Sequence, residues 1–96
     1  MGWNVFMKFE NTVAAVSTPV AAGGLGVIRI SGDDAISIAA KVFIPSGNKN
    51  VENMKGYTAA YGTVIHGDKK IDEAVLLVFR APHSYTGENV AEISCH

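Results

Sequence analysis

Arg29 is the one charged residue in the apolar run Leu25-Gly-Val-Ile-Arg-Ile30, and Glu92 occupies the same kind of position in Val90-Ala-Glu-Ile-Ser-Cys95. A guanidinium presents a planar fork of donors, and a carboxylate accepts two parallel N–H bonds. Such a carboxylate can take a planar amidine-like edge, for example the N3–H and 2-amino group of a pterin, while an arginine can hold a carboxylate bidentately. Two plainer readings fit the same spacing: a structural Arg29–Glu92 ion pair, or two charges that merely face solvent. Strand parity favours a common location. Val27, Arg29 and Ser31 share one face of their strand, opposite Gly26, Ile28 and Ile30, and Val90, Glu92 and Ser94 share one face opposite Ala91, Ile93 and Cys95.

Two loops lie near these strands. Gly23-Gly-Leu-Gly26 permits a tight turn or a close backbone approach to a ligand. It is not a phosphate loop, because no third spaced glycine follows, strand-forming residues come next, and Gly-Lys-Ser/Thr is missing. Ala81-Pro-His-Ser-Tyr-Thr-Gly87 runs into the strand that carries Glu92. Tyr85 and Thr86 are therefore candidates for ligand contact as well as turn formers, together with Gly23, Gly24 and Gly26. Cys95 and His96 are neighbours on a strand, point to opposite faces and cannot form a thiol–imidazole dyad. His66 and His83 fall in predicted loops, each as a surface or satisfied residue rather than a ligand, and no Cys/His spacing suggests zinc. No catalytic residue and no metal site is expected.

The elements that must position these groups follow from periodicity and turn chemistry. Thr12–Val16 is a predicted strand, ended by Ser17-Thr-Pro19, and Leu25–Ile30 is a second. Ser31-Gly-Asp-Asp-Ala35 offers capping oxygens and first-turn acids, and Ile36, Ala39, Ala40 and Phe43 recur at helical spacing, predicting one amphipathic helix that ends by Pro45. Ser46–Lys55 reads as a polar surface connection. Tyr57–Ile65 and Ile71–Phe79 flank His66-Gly-Asp-Lys-Lys70 as a hairpin, and Val90–Cys95 is the last strand. The expected class is α+β, one principal helix against a mainly antiparallel or mixed sheet. Residues 1–10 are either an extension or a first strand. The pattern of the final strand is still running at His96, which reads as the first module of a longer protein.

With 96 residues, 48% of them hydrophobic and 18% charged, the chain suits one compact domain. Its net charge of -1 and scattered lysines and arginines exclude the basic stripe of an unaided nucleic-acid binder. The single cysteine excludes an intrachain disulfide and fits a reducing cytoplasmic compartment. Apolar runs such as Ala74–Phe79 are too short to span a bilayer, and Met1–Phe9 lacks the features of a signal peptide.

Three segments, Asn11-Thr-Val-Ala-Ala-Val-Ser-Thr-Pro19, Gly23-Gly-Leu-Gly-Val-Ile-Arg-Ile-Ser-Gly32 and Ser84-Tyr-Thr-Gly-Glu-Asn-Val-Ala-Glu-Ile-Ser-Cys-His96, closely resemble the N-terminal domain of the MnmE (TrmE) family of tRNA modification GTPases. The likeness runs over residues 11–96. It implies a domain similar in fold to the tetrahydrofolate-binding domain of aminomethyltransferases, which binds 5-formyl-tetrahydrofolate and mediates homodimerisation. By the same resemblance, Arg29 and Glu92 contribute to the folate site, and a further family lysine lies beyond residue 96. The family often has a basic residue before the Gly-Gly pair, where this chain has Ala22. The family modifies C5 of the wobble uridine in tRNA together with the flavoprotein MnmG. GTP, Mg and K belong to its G domain, which has no counterpart in these residues, so this chain by itself is not expected to hydrolyse GTP. A purely structural dimerisation module without folate binding is the alternative.

Overall fold

The structure is a computed structural model that describes residues 4–9, 12–18, 26–84 and 86–95. Its elements are β1 (Asn4–Phe9), β2 (Thr12–Thr18), β3 (Gly26–Ser31), α1 (Ala35–Val42), β4 (Phe43–Pro45), β5 (Thr58–His66), β6 (Lys69–Phe79) and β7 (Val90–Cys95), with a 3-10 turn at Val51–Asn53. Among the described residues the seven strands form one sheet in the order β1-β2-β3-β7-β6-β5-β4, every pairing antiparallel. The α+β expectation holds, and the sheet is antiparallel rather than mixed.

Alternation along the strands decides what the helix covers. Ile30, Leu76, Val78, Ala91 and Ile93 turn toward Ala35, Ile36 and Ala39 of α1, and all belong to one buried cluster. Asp34, at the N-cap, makes no side-chain cap bond, and the first turn holds no acid, so the local capping oxygens and first-turn acids expected from Ser31–Ala35 are not what starts the helix. The hydroxyl of buried Thr12, on β2, instead accepts the Asp34 N–H at 3.0 Å. A partner 22 residues away thus satisfies a donor at the helix start.

Three further details differ from the sequence reading. Phe43 is not helical: Pro45 restrains the residue before it, the chain extends, and Phe43 pairs with Val64 as the start of β4 while staying buried. Gly62 makes this edge pairing possible, because a Cβ there would lie 2.2 Å from the Ile44 carbonyl oxygen. The segment 46–55 is not wholly a surface connection either, since Val51 and Met54 are buried in the main cluster. The hairpin turn is shorter than expected, just Gly67-Asp68 between the paired residues His66 and Lys69. Asn4–Phe9 takes the strand option, pairing with β2.

Candidate functional site

β3 and β7 are neighbours in the middle of the sheet, and their register sets Arg29 directly across from Glu92. Nε of Arg29 donates to Oε2 of Glu92 at 2.7 Å, and Nη2 contacts the same oxygen. The side chains are 18% and 10% exposed, so the pair is shielded without being sealed. Of the readings open at the sequence level, the ion pair is formed and the picture of two fully solvated charges is not. Both guanidinium contacts fall on Oε2. Among the described residues no donor is aimed at Oε1, which keeps acceptor capacity for another planar donor edge. Leu77 of β6 lies across from Glu92 on the other side.

The loop between β6 and β7 is tied to this face. Ser31, two residues from Arg29 and of the same parity, shares a hydroxyl–hydroxyl bond of 2.7 Å with Thr86 and donates to Glu88 at 3.4 Å. The Gly32 N–H donates to the Asn89 carbonyl at 2.9 Å, the Ala81 N–H to the Asn89 side chain at 2.9 Å, and the Ser84 hydroxyl to the Glu88 carbonyl. Gly87 sits at φ 80, a conformation that suits glycine at the turn. Val90, which follows the loop and shares the parity of Glu92, is completely buried.

Of the sequence-predicted site residues, the structure brings together Arg29, Glu92 and, one step along β3, Thr86. Gly26 is not beside them: it pairs with Cys95 at the opposite end of β3 from Ser31. Gly23, Gly24 and Tyr85 lie outside the described residues, as does His96. Ser31 and Glu88 were not singled out as site residues, although the parity of Ser31 with Arg29 was a usable signal. Cys95 packs against the core; burial, with a smaller contribution from the Asp72 carboxylate, pushes its thiol above the ordinary value. His66 and His83 are exposed, but His66 is the last residue of β5, paired with Lys69, and not a loop residue. Among the described residues no cluster of His, Cys, Asp or Glu could hold a metal ion, and no helix is long and apolar enough to cross a membrane. A shallow groove of about 400 Å³ lined by Tyr61, Thr63, Lys70, Asp72 and Glu73 lies over the β5–β6 hairpin and includes none of the predicted residues.

Comparison with known proteins places the chain in a family. The family described as the GTP-binding protein TrmE N-terminus matches residues 12–96, a span that includes β2 to β7, the ion pair and the Thr86 loop. Similar relatives are each named tRNA modification GTPase MnmE. That of Symbiobacterium thermophilum is 46% identical over 88 residues, covering 91% of this chain and 19% of the relative. That of Carboxydothermus hydrogenoformans is 45% identical over 89 residues, with the same coverage of 91% and 19%. That of Christiangramia forsetii is 43% identical over 90 residues, covering 94% and 19%. The chain therefore spans about a fifth of the length of the curated relatives it matches. A match that extends over nearly all the described strands and over both members of the central pair leads to one assignment: the chain belongs to the TrmE N-terminus family.

Proposed function

We propose that this chain is the N-terminal module of a tRNA modification GTPase, that it binds 5-formyl-tetrahydrofolate, and that it forms homodimers. The observation that carries the folate reading is the Arg29–Glu92 pair on the face of the sheet away from α1, shielded but still reachable, with the Thr86 loop tied down beside it. The donor set fits the ligand. Glu92 accepts the N3–H and 2-amino edge of the pterin, and Arg29 holds the carboxylate in the orientation that presents it. Bound folate would supply a one-carbon group; the residues described here bind and orient.

Homodimerisation is supported by a run of exposed apolar side chains. Ile44, Tyr61, Ile71 and Val75 are 54%, 54%, 58% and 40% exposed on the β4–β5–β6 part of the same face. Such a patch, together with unpaired strand edges, marks an interaction surface. In this reading GTP, Mg and K are bound by a G domain outside these residues, MnmG and tRNA are partners of the longer protein, and the setting is the cytoplasm. The similarity to the folate-binding domain of aminomethyltransferases is part of the same proposal.

One observation favours the second reading, a purely structural dimerisation module: the two guanidinium contacts on Oε2 already make a satisfied ion pair that needs no ligand. Calorimetric titration of 5-formyl-tetrahydrofolate into the protein, and into a form extended beyond residue 96, separates the two. The folate reading predicts binding that Glu92→Gln weakens at least thirtyfold, the effect of spoiling a buried charged hydrogen bond at about 2 kcal/mol or more. An extended protein that dimerises in sedimentation but takes up no folate would leave dimerisation alone.

A further inference from the structure

Tyr57 occupies the turn that leads into β5 with φ 61, the left-handed region that is rare for a bulky residue. Its ring is not hidden in return: the residue is 71% exposed. Glycine or asparagine would make this turn without strain, and burial does not account for the aromatic ring. What the ring does touch is Phe79, edge to face, with centroids 5.7 Å apart and planes at 86°.

Phe79 lies on the face that carries Glu92. Leu76 and Val78 are fully buried under α1, so Leu77 and Phe79 alternate to the other side. Across the next ladder Leu77 pairs with Glu92 and Phe79 with Val90. The Tyr57 N–H donates to the Val78 carbonyl at 2.8 Å, which fixes the turn beside Phe79. Arg80, next to Phe79, ties down the segment before the turn, its Nε and Nη2 donating to the Met54 carbonyl at 3.1 and 2.8 Å and its Nη2 to the Glu52 carbonyl at 2.7 Å. The aromatic pair is thus preorganised, and two strand spacings, about 10 Å, separate the Tyr57 turn from β7.

We infer that Tyr57 and Phe79 form an aromatic wall against which the ring of a reduced pterin packs while Glu92 holds its donor edge. The inference rests on the folate reading above and adds two residues that determine specificity for the ring. A heterocycle with its N3–H and 2-amino edge on Glu92 extends over Leu77 toward Phe79, where offset or edge-to-face contact with aromatic rings favours a planar partner over a flexible one. The strained Tyr57 backbone is then the means of keeping a ring upright at the rim.

The test compares three probes on the protein extended beyond residue 96: 5-formyl-tetrahydrofolate, the tail-free 6-methyl-tetrahydropterin, and p-aminobenzoylglutamate, which has the tail alone. Tyr57→Asn removes the ring and relieves the backbone; Tyr57→Phe keeps the ring. The expected result is a five- to tenfold weaker affinity of Tyr57→Asn for both ring-bearing probes, unchanged affinity for the tail, and wild-type behaviour of Tyr57→Phe. Should Tyr57→Asn fail to fold, Phe79→Leu is read in the same way. Wild-type affinity of these variants for 6-methyl-tetrahydropterin, in a protein whose binding is lost with Glu92→Gln, overturns the aromatic wall and leaves the folate reading standing. A wild-type protein that binds neither ring-bearing probe overturns both.

Discussion

On the helix side of the β3–β7 ladder, Ile30, Ala91 and Ile93 are 4%, 0% and 3% exposed and belong to the buried apolar cluster. One residue over on the same two strands, Arg29 and Glu92 form an ion pair and Ser31 bonds to the loop before β7. The two faces share backbone, register and twist, and differ only in parity. The core face is over-determined by a cluster spread across α1 and the sheet. The other face is held by directed bonds, the part-buried Arg29–Glu92 pair and the exposed bonds of Ser31 to Thr86 and Glu88. The comparison teaches that the strands of this fold are fixed from one side, which leaves the second side available for recognition.

Breaking the core face has the largest effect. Leu76 is fully buried at the middle of β6, and Leu76→Ala removes its side chain from a packed cluster. A loss of about 3 kcal/mol is expected in urea denaturation, from lost transfer free energy and the cavity left behind. Thr12→Val comes next. It keeps the shape but orphans the Asp34 N–H at the start of α1, for a loss of about 1 kcal/mol measured the same way. Ser31→Ala is the smallest, about 0.5 kcal/mol at an exposed hydroxyl pair. Its signature is local: amide hydrogens around Gly87 and Glu88 exchange faster while those of β6 keep their protection. A Ser31→Ala protein that loses protection throughout β6 would show that the two faces are not separable.

How much of this could be read in the chain depends on the range of the interaction concerned. The strands at β2, β3, β5, β6 and β7 announce themselves through β-branched content and alternation, and parity correctly put Arg29 and Glu92 on one side each. That they meet required the register of two strands 63 residues apart, which no local pattern encodes. Phe43 falls at the next position of the helical stripe, yet the nearby proline and the pairing with β5 decide for strand. Val51 and Met54 were missed because two apolar residues in a polar segment make no period. The Thr12 cap on α1 is a long-range bond standing where a local one was expected. Tyr57 gave no signal at all, since an unusual φ at a non-glycine residue has no sequence signature beyond the adjacent Gly56.

The central claim is that Glu92 serves a ligand as well as its arginine. Exchanging the charges, Arg29→Glu together with Glu92→Arg, keeps an ion pair at this position but removes the acceptor from β7. Titration of 5-formyl-tetrahydrofolate into the exchanged protein, with its thermal melt recorded on the same sample, is the direct test. The account predicts a double variant that recovers most of the stability lost by either single substitution and no longer binds. Undiminished folate binding by the exchanged protein would contradict it.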